Sequence, residues 1–365
     1  MNKKTVNGPA NGPKFIFGRR NVNWQGNAPA AKENIEGSTA SIMSEISSQE
    51  EPTYYEDPEL IEDRREKWEE DRAKFAELLQ SGKRVADNKK TEEQLVKLFP
   101  PGEIINHNGE TFMVEHSDKP IPQKGKGGTG GEGKTDAFIR LRNLDTGEPK
   151  DIKISSKQHN ADFIENKMKR VRSEQVFGEQ GLGKFQNELD NLATSILESD
   201  EPINDKAIKL GFRVDITNKP KGPYCIELDL TDEEKKEFYA GGNLEQRKLD
   251  SEVGGEVVEG SGEANYMLIG DYDEFEKPED ILDNLESIDD YIQKESTKFY
   301  LSLGAVNYRK GGKMDSSRPI AIGFAYEYND ENGQIDYKLD YDEPLSKDSR
   351  QVLAEMPESI RSRYD

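Results

Sequence analysis

Cysteine is nearly absent: Cys225 stands alone among 365 residues, so no intramolecular disulfide framework is available and a reducing compartment is expected. Long apolar runs are missing too. None approaches the roughly 20 residues that a bilayer-spanning helix needs. No apolar stretch follows Lys3 and Lys4, so no secretory signal is read. Histidine is scarce, and His107, His116 and His159 are scattered, with no Cys/His spacing suited to zinc. Hydrophobic residues make up only 32% of the chain, which predicts that part of it stays outside a core. Positive charge is in deficit: 51 Lys+Arg face 73 Asp+Glu, a formal net charge of -22. A protein that tracks a phosphate backbone would have to gather its cations locally. The same acidity would suit a chain that occupies a basic partner. No membrane association is expected, and the location expected from these absences is cytoplasmic.

Residues 1–52 are rich in Asn, Gly, Pro, Ala and Ser without a sustained period, and read as a disordered tail. Phe15, Ile16, Phe17 and Trp24, beside Arg19 and Arg20, offer a short docking motif for a protein partner within it. Residues 53–365 read as one α/β (α+β) domain, a mixed sheet flanked by helices. Helical spacing of Leu60, Trp68, Phe75 and Leu79 predicts a helix over 57–79, and a second is expected over 91–99, stopped by Pro100 and Pro101. Asn108-Gly109 marks a hairpin between strands at 103–105 and 111–115. A glycine-rich loop, 124–133, precedes strands at 135–143 and 151–157. Helices are then predicted at 160–176 and 185–198, and strands at 211–216 and 223–230. Thr231 and Glu234 form a capping box. The Gly/Glu-rich stretch 241–263 reads as a mobile loop or domain junction. A helix over 279–295, strands at 297–308, 318–328 and 334–341, and a helix over 346–362 complete the pattern.

One hairpin carries the chemistry. Ala137, Ile139 and Leu141 alternate on one face of its first strand, and Ile152 and Ile154 on one face of its second. A two-residue turn at Thr146-Gly147 pairs Leu141 with Ile152 and Ile139 with Ile154, and sets Asp136 opposite Lys157 on the polar face. Hydrolysis of a phosphodiester calls for a hard cation held by carboxylates and for a positive group near the developing charge. Asp136 and Lys157 supply one of each.

The segment resembles the restriction-endonuclease-like PD-(D/E)xK nucleases, which place an Asp on one strand and an acidic-x-Lys on the next. Asp136 matches the first element and Ser155-Ser156-Lys157 the second, over about residues 130–170. The resemblance implies a restriction-endonuclease-like core, with Mg²⁺ or Mn²⁺ held by Asp136 and the carbonyl of Ser156, and catalysis by Lys157 with Asp136. Ser155 stands where the family has an acid. A second carboxylate must then come from elsewhere, with Glu165 on the following helix as the candidate and Glu77 as another. Lys167, Lys169, Arg170 and Arg172 form a local basic patch suited to DNA, and Lys134 in the preceding loop is placed to meet phosphate.

Two other readings stand beside this one. Gly128-Thr-Gly-Gly-Glu-Gly133-Lys134-Thr135 satisfies the P-loop pattern by letter, which would make Gly128, Gly133, Lys134 and Thr135 nucleotide-binding. The P-loop needs a helix next, however, and an alternating strand follows. The other reading is a non-enzymatic acidic interaction or phage structural protein. The expected function is a metal-dependent DNA nuclease of a bacterial or phage-infected cell.

Overall fold

The computed structural model describes residues 57–124, 132–166, 168–200, 202–271, 273–294, 296–315, 320–329, 331, 335–340 and 349–365. The tail expected over 1–52 lies outside the described residues, as do Gly128 and Lys167.

Helix α1 (Pro58–Gln80) begins where the Asp57 carboxylate accepts from the Glu59 amide, and proline at its first position costs it no hydrogen bond. Helix α2 (Asp87–Lys97) ends ahead of Pro100. Its apolar side, Leu95 and Val96, continues into Phe99, and all three are fully buried. Strands β1 (Ile104–His107) and β2 (Glu110–Asp118) form the expected hairpin, with Asn108 and Gly109 both at positive φ. β3 (Ala137–Asn143) and β4 (Pro149–Lys157) continue the antiparallel meander.

The β3–β4 register differs from the expected one by two residues. Ile139 faces Ile152 and Ala137 faces Ile154. The Asn143 side chain explains the shift: its Oδ1 accepts from the amides of Asp145 and Thr146, and Gly147 takes φ 75°, so the loop spans Leu144 to Gly147. A shift of two preserves the faces, so Ala137, Ile139, Leu141, Ile152 and Ile154 still point at α2 and are all buried.

The predicted helix over 160–176 is replaced by a short strand, β5 (Phe163–Glu165), and a later helix, α3 (Arg170–Phe177). A single 3₁₀ turn leads into α4 (Gln186–Ser199). Then come β6 (Ala207–Thr217), β7 (Cys225–Glu227) and α5 (Asp232–Tyr239), whose Thr231–Glu234 capping box forms as expected. The stretch 241–263, expected as a mobile loop or domain junction, carries secondary structure. It holds α6 (Gln246–Leu249) and the hairpin β8 (Ser251–Val253) and β9 (Glu256–Val258), pinned by mutual Ser251–Ser261 hydrogen bonds.

β10 (Tyr266–Ile269) then pairs parallel to β4, setting Ile269 beside Lys157. The helix expected over 279–295 is split into α7 (Pro278–Leu282) and α8 (Ile288–Ile292) by β11 (Glu286–Ser287), which pairs with β10. Strands β12 (Tyr300–Arg309), β13 (Lys313–Met314), β14 (Ile322–Tyr328) and β15 (Ile335–Asp340) follow. In place of one final helix stand α9 (Ser349–Glu355) and α10 (Glu358–Arg361), separated by Pro357.

The fold is mixed α/β. One sheet runs β1-β2-β3-β4-β10-β11. The other runs β13-β12-β6-β14-β15, with β5 on β6 and β7 on β12. α2 covers one face of the first sheet, while Phe138 on the other face packs with Val253 and Val258 of the β8–β9 hairpin. Met267 of β10 reaches into the core of the second sheet. Among the described residues, no helix is long and apolar enough to cross a membrane.

Candidate functional site

β3 begins, and β4 and β10 end, at one edge of the first sheet. The carboxyl ends of neighbouring parallel strands are where open α/β sheets leave a crevice. Asp136 stands at this edge just ahead of β3. Its amide donates to the Ile154 carbonyl at 2.7 Å, and its Oδ2 accepts from the Ser156 amide at 2.7 Å. The carboxyl is thus folded onto the end of β4 rather than set straight across from Lys157, as the expected register had it. Burial pushes the Asp136 carboxyl above its ordinary range, against the pull of Lys157 and the Ser156 amide.

Along a strand, one residue's N–H and C=O share an edge. Ile154 and Ser156 both direct their edge toward β3, whereas the Lys157 carbonyl accepts from Gly270 on the β10 side. The Ser156 carbonyl therefore faces the same space as Asp136. Lys157 is half-buried, and among the described residues no carboxylate lies within ion-pair distance of it. Ser155 is buried.

A further carboxylate comes from α2. Glu92 shares the helical face of Leu95, Val96 and Phe99 and is half-buried. Burial raises its pKa, Lys119 opposes that rise at 2.6 Å, and the charges of Asp136 and Glu132 add to it. Lys119 also reaches Glu132 at 3.5 Å. The signal in the sequence was a glutamate at a core-facing helical position, i, i+3, i+4 and i+7 from apolar residues.

Glu165 lies on β5, not on a helix. Its Oε2 accepts from Lys134 Nζ at 2.8 Å and from Arg172 Nε at 3.1 Å. These two cations hold its pKa below the ordinary value in spite of burial. Arg172 continues to the carboxylate and carbonyl of Glu237, so Lys134, Glu165, Arg172 and Glu237 form one chain of charges. The basic patch expected on a helix is divided. Lys169 and Arg170 are exposed at the start of α3, Arg170 is paired with Glu174 at 2.9 Å, and Arg172 is buried. Glu77 is exposed near the end of α1.

Lys134 is anchored by its backbone as well. Its amide and that of Thr135 donate to the Gly262 carbonyl, and Gly133 approaches Gly262 so closely that a Cβ there would sit 2.9 Å from that oxygen. No helix opens after Thr135; β3 does. The helix terminus on which a P-loop depends is therefore not present at this position.

The donors gathered at the edge are hard oxygens: the Asp136 carboxylate, the Ser156 carbonyl, and Glu92 and Glu132 nearby. Among the described residues, no three Asp, Glu, His or Cys side chains converge as a ready-made ligand group. Such a set fits Mg²⁺ or Mn²⁺ held through one or two carboxylates, with water and substrate phosphate completing the shell, better than a cation caged by protein. Comparison with family models, with curated proteins and with solved structures finds no match to this chain.

Proposed function

We propose that the chain is a metal-dependent nuclease that hydrolyses phosphodiester bonds in DNA, with its centre at Asp136 and Lys157. The observation that carries this reading is the junction of β3 and β4. There a half-buried carboxyl, and an ammonium that among the described residues has no carboxylate within ion-pair distance, flank one carbonyl at the open edge of a mixed sheet. A divalent cation bound there would activate water and offset charge on the phosphate. Asp136 and the Ser156 carbonyl would hold it, with Glu92 as the second carboxylate in place of Glu165, which Lys134 and Arg172 already engage. Lys157 orients the attacking water and stabilises the charge that develops on the phosphate oxygens. Desolvation raises the cost of ionising the half-buried Asp136, and a nearby cation would relieve that cost.

The test is cleavage of linear and circular DNA, and of RNA, by the purified chain with Mg²⁺ or Mn²⁺. Asp136→Ala and Lys157→Ala are expected to abolish cutting while the chain remains folded. Glu92→Gln is expected to lower the rate at least ~10-fold and to raise the Mg²⁺ concentration needed for half-maximal cutting, as loss of a charged ligand should. Cutting that survives both alanine variants would place the chemistry elsewhere.

A second reading, a non-enzymatic protein that binds a basic partner, draws on the net charge of -22. A stable complex with a basic protein, unaffected by divalent cations, together with no cutting of any substrate, would favour it.

A further inference from the structure

A cleft opens beside Lys157, between residues of β5 and β10, and beyond Lys157 itself the proposed chemistry makes no use of it. It encloses about 80 Å³ and is lined by Lys157, Phe163, Asn218, Lys219, Ile269 and Tyr291, among others. At about 10–15 Å³ per water-sized occupant, that is room for a group the size of one six-membered ring with its substituents.

Three features point to the same occupant. Phe163 and Ile269 are exposed large apolar side chains, 38% and 41% accessible, and both lie in this cleft. They come from different sheets, β5 and β10, so the cleft is where the two sheets meet beyond the ends of the parallel strands. Cations gather around the aromatic wall: Lys221 Nζ lies 4.1 Å from the Phe163 ring centre, and Lys219 and Lys221 share the single carboxylate of Asp162. Lys157 adds a third ammonium on this side, while His159, which also lines the cleft, is paired with Glu274 at 2.8 Å, in a chain that is acidic as a whole.

An aromatic wall and local positive charge together describe the needs of an unpaired nucleobase on a phosphodiester chain. We propose that this cleft receives an unpaired base of the strand being cut, so that the substrate class is single-stranded or frayed nucleic acid. The ring lies against Phe163, and Lys219 and Lys221 meet the flanking phosphates. A base inside a duplex is stacked and paired and cannot enter without being extruded. This inference rests on the nuclease reading only in taking Lys157 as the point where the strand is cut.

The experiment is fluorescence anisotropy of a labelled ten-nucleotide oligo(dC), and of a hairpin duplex carrying the same label. Both are bound to the full chain in EDTA at fixed salt. The single strand should bind at least ~10-fold more tightly than the duplex. Phe163→Ala should weaken single-strand binding by about 5- to 150-fold, the range found for removing one stacking aromatic. Phe163→Trp should restore it, and neither change should alter duplex binding. Thermal melts of both variants check folding, which the exposure of Phe163 favours.

Equal affinity for the two probes, no binding of the single strand, or a Phe163→Ala variant that binds like the parent would overturn the proposal. So would a Phe163→Trp variant as weak as the alanine. The same oligonucleotides incubated with Mg²⁺ separate the two ideas. Aromatic-dependent binding without cutting removes the nuclease reading and leaves the cleft in place. Cutting with no dependence on Phe163 does the reverse.

Discussion

Glu93 on α2 should be a stability-limiting carboxylate whose replacement strengthens the protein at neutral pH. Arg72 Nε lies 2.6 Å from its Oε1, yet the same guanidinium also serves Asp118 at 3.1 Å. Two carboxylates thus divide one cation in a region where all three side chains are at most 16% exposed. Burial outweighs Arg72, the neighbouring Asp118 adds to it, and the Glu93 pKa is pushed up to about 7 from 4.5.

A raised folded-state pKa means that the fold favours the protonated acid. Its contribution is fully present below pH 4.5 and is lost as pH rises through about 7. Full conversion of that difference would be about 3 kcal/mol. The carboxylate keeps some contact with water, and screening should reduce the effect to about 1–2 kcal/mol. Glu93→Gln, which cannot ionise, should therefore unfold at higher urea than the parent at pH 8 and at the same urea near pH 4.5, in metal-free buffer. Trp68 is a suitable fluorescence reporter, because its indole donates to the Val96 carbonyl of α2 and Arg72 stacks over its ring. A glutamine variant weaker than the parent at pH 8, or a difference constant from pH 4.5 to 8, would show that Arg72 outweighs burial and would refute the reasoning.

Arg142→Met should cost about 3–5 kcal/mol in urea unfolding, since it strands Glu115, which is 0% exposed and accepts both of its charged hydrogen bonds from Arg142. A loss under 1 kcal/mol would mean that the carboxyl is neutralised by other means. Gly262→Ala should lower thermal stability by about 1–3 kcal/mol and also reduce cleavage, because its Cβ would meet the Lys248 carbonyl at 1.6 Å, forcing backbone to move beneath Lys134 and Thr135. Unchanged melting in that variant would show that the segment yields freely.

The parts of the fold legible in the sequence are those set by local periodicity. The faces of β3 and β4, the β1–β2 turn and the Thr231 cap each depend on a few neighbouring residues. What escaped the reading depends on partners far along the chain. Glu165 sits in a strand because β6 offers it a ladder at Ile216, and the helix expected over 279–295 breaks because Glu286 and Ser287 pair with β10. The register of the central hairpin turned on one side chain, Asn143, whose carboxamide lengthens the loop while keeping the faces. The stretch 241–263 looked loose by composition, but its glycines permit close backbone approaches that hold it in place. Asp136 and Lys157 could be brought together from the sequence because they stand at the open end of one hairpin, Asp136 just ahead of β3 and Lys157 at the end of β4. Glu92 was not, because its nearness to them depends on how α2 packs.

The parallel pairing of β4 with β10 also has a consequence for the order of assembly. Lys157 and Tyr266 are 109 positions apart, so during synthesis at ~5–20 residues per second β4 waits about 5–20 s for its neighbour. Throughout that interval it is an open edge, able to recruit a strand from another chain. Lys150, Lys153 and Lys157 are spaced along it, and Pro149 opens it. Charged and proline-led edges resist such recruitment, so the lysine that the proposed chemistry needs would also guard the nascent sheet until its own strand arrives.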